Sequence, residues 1–266
     1  MYDQYKRKIN YLRISVTDRC NLRCIYCMPV EGIPHKKHSD ILRFEEILEV
    51  VKVGMKLGIN KIRLTGGEPL VRKDIANLVK QIISIEGIDD VGLTTNGVLL
   101  SRMAKELKEA GLKRLNISLD TLNKEKYTNV TRNGRLEDVL EGIDIAIKLG
   151  FAPIKINFVR IKGVNEEDEA EVKAFCSEKG LELRFIRQMN LSKGEFYPVE
   201  GGNGGICKIC NRLRLTADGF IVSCLFSDFG YNIKEMGIEQ AFMKALNKKP
   251  ETGKTSLRNH FYNIGG

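Results

Sequence analysis

The stretch Tyr11-Leu12-Arg13-Ile14-Ser15-Val16-Thr17-Asp18-Arg19-Cys20-Asn21-Leu22-Arg23-Cys24-Ile25-Tyr26-Cys27 decides how the rest of the chain is read. It opens as a short apolar run, Tyr11–Ser15, suited to a buried strand. It then enters a loop whose cysteines are spaced C-x3-C-x2-C. Similar runs recur at Lys61–Thr65, Val91–Thr95, Arg114–Ser118, Ile154–Val159 and Leu181–Ile186. Amphipathic stretches lie between them at Arg43–Leu57, Lys73–Ile83, Ser101–Glu109, Leu136–Leu149 and Glu166–Lys179. Several of these close on glycine, at Gly58, Gly111, Gly150 and Gly180, the expected end of a helix. Strand alternating with helix predicts a parallel sheet with right-handed crossovers. Six such units fall short of a closed eight-unit barrel. The expectation is therefore an α/β fold, a partial (βα)6 barrel over residues 1–190, with its site at the C-terminal ends of the strands.

After Asn190 the texture changes. Glu195–Gly205 is Gly-rich and loop-like. Residues 191–266 are expected to form a smaller region on the barrel, with a second cysteine cluster, a helical stretch near Glu235–Leu246 and a tail ending Gly265-Gly266.

Composition narrows the classes. The hydrophobic share is 42%, ordinary for a globular protein, and 29% of residues are charged. The net charge of +9 attracts anions, whether nucleic acid, membrane surfaces or phosphorylated small molecules. No apolar stretch reaches the roughly 18 residues a membrane span needs. The polar N-terminus, Met1–Asn10, has no apolar signal core, so a cytoplasmic location is expected. Of the 7 cysteines, six fall into two tight clusters, which favours metal over disulfides. Cys176, the seventh, sits in an amphipathic stretch and reads as a core residue. The basic residues are spread along strands without an aromatic RNA signature, so nucleic acid is disfavoured as a partner.

The first cluster offers three cysteines, whereas four-iron clusters usually take four. Three ligands leave one iron open. Zinc would need a fourth ligand, and only His35 and His38 lie near. The spacing of Cys20, Cys24 and Cys27, with Tyr26 before the last, resembles that of radical S-adenosylmethionine enzymes. The resemblance implies a [4Fe-4S] cluster whose open iron chelates the methionine end of S-adenosylmethionine. It also implies reductive cleavage to a 5′-deoxyadenosyl radical. Thr65-Gly66-Gly67-Glu68-Pro69, after the second run, matches the family's motif for the methionine amine. The resemblance assigns Tyr26, Gly66, Gly67, Glu68, Ser118 and Met189 to cofactor binding. Thr94-Thr95-Asn96-Gly97 and Ser118-Leu119-Asp120 put hydroxyls at the barrel mouth.

The second cluster, Cys207, Cys210 and Cys224, is spaced C-x2-C-x13-C around Asn211-Arg212-Leu213-Arg214. This stretch is similar to the C-terminal signature of the GTP 3′,8-cyclase family, as is Tyr11 to about Met189. The resemblance implies a second three-cysteine [4Fe-4S] cluster that meets the guanine base. It also implies cyclisation of GTP to 3′,8-cyclo-7,8-dihydro-GTP on the way to the molybdenum cofactor. A triphosphate needs cations, and arginine binds phosphate oxygens bidentately. By motif match, Arg13, Lys61, Arg63, Thr94, Lys155, Arg184, Arg212 and Arg214 are expected at the substrate. Arg212 and Arg214 are also expected in catalysis, together with Gly265 and Gly266 of a tail that enters the site in the family. An electron-donor protein, a downstream pterin-forming enzyme and a homodimer are expected by family.

The chain departs from that family in two places. The segment between Met189 and Cys207 is shorter by several tens of residues, and Arg187 stands where the family usually has an acid. Two other readings therefore stay open: a radical enzyme for another nucleotide or a peptide, and a non-enzymatic iron–sulfur or zinc protein.

Overall fold

The structure, a computed structural model, describes residues 1–264. The six apolar runs are strands β1 (Tyr11–Ser15), β2 (Lys61–Thr65), β3 (Asp90–Thr95), β4 (Arg114–Ser118), β5 (Ile154–Arg160) and β6 (Glu182–Arg187). Each pairs in parallel with its sequence neighbour. Helices α1 (Phe44–Lys56), α2 (Ile75–Ile83), α3 (Leu100–Glu109), α4 (Lys124–Thr131), α5 (Leu136–Lys148) and α6 (Glu169–Glu178) make the crossovers. Their apolar stripes meet the sheet in one core that includes Ile14, Ile62, Leu64, Leu93, Ile117 and Phe158. Cys176 belongs to this core and is 2% exposed.

α4 was not expected from pattern. Only Tyr127, Val130 and Thr131 of its eight residues are buried, so its apolar stripe is short. Asn123 caps it by accepting from the Lys126 N–H at 3.0 Å.

The C-terminal region continues the same sheet. Strands β7 (Arg212–Leu215), β8 (Phe220–Val222) and β9 (Gly230–Asn232) give the order β6-β5-β4-β3-β2-β1-β7-β8-β9. β7 lies parallel to β1, and β8 and β9 follow antiparallel. The stretch near Glu235–Leu246 is two helices, α7 (Ile233–Met236) and α8 (Ile238–Asn247), broken at Gly237 with φ +84°. A last turn, α9 (Phe261–Ile264), packs Ile264 into a small second core with Leu191, Val222, Leu225 and Phe226.

Residues from every strand β1–β6 line one cavity, including Arg13, Arg63, Thr94, Asn116, Asn157 and Arg184. Side chains on one face of a flat sheet stand side by side without converging, so the sheet must curl to bring them around a common space. No helix among the described residues is long and apolar enough to cross a membrane.

Candidate active site

Thr17 and Arg19 lead from β1 into the cysteine loop, and the Gly66-Gly67-Glu68 turn grips them. Gly67 N–H donates to Thr17 O and Glu68 N–H to Arg19 O, both at 2.8 Å. A Cβ on Gly67 would lie 2.3 Å from Arg19 O, so only glycine permits the approach. The sequence reading assigned these glycines to a ligand. The structure adds that they let two chain segments touch and so place the cysteines.

The loop is fixed on its other side. Arg23 N–H donates to Thr131 O and Ile25 N–H to Val130 O at the end of α4. Arg132 donates to the carbonyls of Arg23 (3.0 Å) and Met28 (2.8 Å). The Tyr26 hydroxyl donates to Asp120 Oδ2 at 2.7 Å, and Asp120 Oδ1 accepts from Val159 N–H at 2.8 Å. Asn96 Nδ2 donates to Asn21 Oδ1 at 2.8 Å and reaches Cys20 Sγ at 3.8 Å. Leu22 N–H points to the same sulfur at 3.4 Å. In sequence Asp120 and Asn96 stand out only as parts of turn motifs. What marks them is the strand end on which each sits, facing the loop.

Cys20, Cys24 and Cys27 all line a cavity of about 200 Å³. Tyr26, Gly66, Gly67, Glu68, Ser118 and Met189 line it too. The donor set suits an iron–sulfur cluster: three thiols on one loop, with N–H groups directed at one sulfur. Burial raises all three thiols, Cys24 to about 12, with Asp120 and Cys20 adding to it there. Metal binding must therefore expel protons.

Glu68 lies under this cavity, 1% exposed. Its Oε1 accepts from Leu70 N–H (3.0 Å) and the Thr95 hydroxyl (2.8 Å), and its Oε2 from Asn96 N–H (2.6 Å). Oε1 is thus saturated, and Oε2 keeps one lone pair for an ammonium group. Burial pushes its carboxyl up to about 7 against those three donors. Burial likewise lifts Asp120 to about 6.

A larger cavity of about 510 Å³ adjoins the first, and Thr94, Asn157, Ile186, Met189 and Phe261 line both. Its walls carry Cys207, Cys210 and Cys224 and a bank of cations. Strand register builds the bank. Arg214 of β7, Arg13 of β1 and Arg63 of β2 occupy paired positions on three adjacent strands. Arg212, Tyr11 and Lys61 form the row before them. Neighbouring strands lie about 4.8 Å apart, so the register sets like charges side by side. Burial, then Arg212, brings Arg214 down to about 10; burial and Arg214 lower Arg13. The Tyr11 hydroxyl accepts from Arg63 Nε at 2.7 Å. Among the described residues, the buried Nε atoms of Arg184 and Arg212 have no hydrogen-bond partner. Desolvated like charges this close repel one another and are costly to bury.

Two cations were overlooked. Arg114 lines this cavity, held by Asp90, in the space left by Gly92. Lys249 lines it beside the second cysteine trio. Conversely, Lys155 pairs with Glu182 and lines neither cavity. Arg187 lines the smaller cavity with its guanidinium 4.2 Å from the centre of the Tyr197 ring.

The Gly-rich segment walls the larger cavity through Phe196, Val199, Gly201–Gly205 and Ile206. Phe261 and Tyr262 bring the tail to the smaller cavity, while Gly265 and Gly266 lie outside the described residues. At Cys210 burial raises the thiol. The charge of Lys249, the Arg212 N–H and the Arg212 guanidinium outweigh it, so the net shift is downward. Three thiols with basic neighbours suit a second cluster. Among the described residues no group of three His, Cys, Asp or Glu side chains is set to hold a single metal ion.

Residues 14–176 match the Radical SAM superfamily. The chain is 42% identical over 302 residues to GTP 3′,8-cyclase of Petrotoga mobilis, covering 94% of each chain. It is 38% identical over 319 residues to GTP 3′,8-cyclase of Clostridium botulinum, covering 100% of both. That alignment exceeds this chain's 266 residues by 53, the positions of the relative with no counterpart here. The fold is similar to that of native anSMEcpe with bound AdoMet, with TM-score 0.65 and 17% identity, covering 91% of this chain and 81% of that one. The cysteine loop clamped by its Gly-Gly-Glu turn, the curled parallel sheet and these relatives agree: the chain belongs to the GTP 3′,8-cyclase family of radical S-adenosylmethionine enzymes.

Proposed function

We propose that the chain is a GTP 3′,8-cyclase, converting GTP to 3′,8-cyclo-7,8-dihydro-GTP in molybdopterin biosynthesis. One observation carries this reading: the in-register arginines of β7, β1 and β2 wall a cavity that adjoins the cofactor cavity. S-adenosylmethionine and the first cluster, when bound, supply a carbon-centred radical able to take hydrogen from a ribose carbon.

The chain's own residues supply position and charge. Arg13, Lys61, Arg63, Arg184, Arg212 and Arg214 hold the triphosphate and are relieved of mutual repulsion by it. Glu68, through the free lone pair of Oε2, holds the cofactor's ammonium, and Ser118 and Met189 bound the same space. Thr94 and Asn157, on the shared wall, set where the ribose meets the smaller cavity. Cys207, Cys210 and Cys224 hold a second [4Fe-4S] cluster facing the base, and Gly265 and Gly266 take part in catalysis by family resemblance. On this reading residues 1–190 activate the cofactor and share the triphosphate with residues 191–266, which also carry the second cluster. An electron-donor protein, a downstream pterin-forming enzyme, a homodimer and a cytoplasmic location go with it.

A second reading, a relative acting on another nucleotide, rests on the substituted wall 191–206, where a Gly-rich loop replaces a longer segment. Anaerobic turnover of the reconstituted protein with S-adenosylmethionine, reductant and GTP, read by mass spectrometry, separates the two. 5′-Deoxyadenosine with a cyclised GTP product is the expected result. 5′-Deoxyadenosine with unchanged GTP would overturn the substrate assignment.

A further inference from the structure

Lys249 is a lysine in an unusual place. It follows α8 and is 1% exposed. A buried ammonium is costly unless an opposite charge meets it. Among the described residues no carboxylate pairs with it. Its Nζ donates to Arg212 O and to Ser223 O, each at 2.8 Å. An ammonium has three protons, and these carbonyls take two of them where Lys249 lines the same cavity as Cys207, Cys210 and Cys224. The two carbonyls flank the cysteines, one two residues after Cys210 and the other just before Cys224. One side chain thus ties both arms of the C-x2-C-x13-C loop.

The N-terminal segment fixes Lys249 from behind. Gln4 Nε2 donates to Lys249 O at 3.2 Å. Arg7 donates to Cys207 O (2.9 Å), Pro250 O (2.7 Å) and Glu251 O (2.9 Å). Arg7 is itself neutralised by Asp3 at 2.6 Å. Arg212 and Arg214 line the same cavity as the trio, and the proposed function gives both to the substrate. Lys249 is held in place by main-chain carbonyls whatever occupies the cavity.

We infer that Lys249 is the fixed counter-charge of the second cysteine trio, placed to favour the reduced, more negative form of the cluster bound there. The inference rests on reading Cys207, Cys210 and Cys224 as ligands of a [4Fe-4S] cluster. Three thiolates leave such a cluster with a net negative charge that grows by one on reduction. A cation beside the sulfurs therefore raises its reduction potential. Lys249 is a positioning residue: it acts through the cysteine sulfurs.

The test uses the full chain with Cys20→Ala, Cys24→Ala and Cys27→Ala, so that only the second cluster is observed. Iron content and an EPR-monitored redox titration are compared for this parent, Lys249→Gln and Lys249→Arg. Glutamine keeps a donor for the carbonyls but removes the charge; arginine keeps the charge. The expected result is a tenfold or larger shift of the one-electron equilibrium toward the oxidised form in Lys249→Gln, about 59 mV more negative. Lys249→Arg should stay near the parent. Loss of the cluster from Lys249→Gln alone, with Lys249→Arg loaded, also supports the inference. A parent-like potential in Lys249→Gln overturns it. So does loss of the cluster from both variants while circular dichroism shows them folded, since geometry and not charge would then matter. A parent that binds no iron overturns the second-cluster reading and the inference together, and the iron count distinguishes that failure from the others.

Discussion

Replacing Gly67 with alanine tests the claim that the Gly-Gly-Glu turn exists to seat the cysteine loop. The new Cβ would lie 2.3 Å from Arg19 O and 2.6 Å from Arg19 C, both backbone atoms. Relief needs a shift on the order of 1 Å, since carbon atoms do not approach closer than about 3.5 Å without loss. Cys20 follows Arg19 directly, so the first ligand moves with it. Overpacking of this kind costs about 1–3 kcal/mol. The bonds Gly67 N–H to Thr17 O and Glu68 N–H to Arg19 O are strained as well, at about 1 kcal/mol each. The total is about 3–5 kcal/mol, which lowers the Tm of a domain this size by roughly 6–20 °C. Gly230→Ala is the control, because its Cβ would meet nothing nearer than Val222 Cγ2 at 3.4 Å. The assays are thermal unfolding of the metal-free protein and iron content after reconstitution. A Gly67→Ala protein that melts within a degree of its parent and loads the same iron would refute the reasoning.

Two further outcomes follow from the charges. Arg184→Met should raise the Tm of the metal-free protein, because burial disfavours that charge, yet weaken GTP binding about tenfold or more by calorimetry; Lys155→Met, off both cavities, should leave GTP affinity within about twofold. Glu68 and Asp120 titrate above their ordinary values of 4.5 and 3.8, at about 7 and about 6. A raised carboxyl favours the folded state below its unfolded value and loses that advantage as pH rises through its folded value. The metal-free protein should therefore lose stability between pH 5 and 8, on the order of 3 kcal/mol from Glu68 alone. Glu68→Gln should flatten that slope in a series of thermal melts, and an unchanged slope would count against the burial argument.

The six parallel strands and five of their helices were legible because each is a local apolar pattern that answers to one nearby face. The cysteine ligands were legible for the same reason: three sulfurs within eight residues meet whatever the rest of the chain does. β7 was less so. Arg212-Leu213-Arg214-Leu215 alternates charge with leucine and reads as a strand only once β1, some two hundred residues earlier in the chain, lies beside it. That pairing also turns scattered arginines into a bank, since Arg214, Arg13 and Arg63 become neighbours through register alone. Lys155 had the same residue type and the same kind of strand. Its partner on β6, Glu182, pairs with it away from both cavities.

Spacing along the chain was enough for the strand–helix alternation, the cysteine trios and the family, because each is a pattern among near neighbours. That Arg114 and Lys249 join the cation wall while Lys155 does not, and why Gly67 must be glycine, came only with the folded chain. So did Asp120 under Tyr26 and Lys249 beside the second trio. Each of these is a contact between segments far apart in sequence, and its energy depends on burial and distance, which no local pattern records.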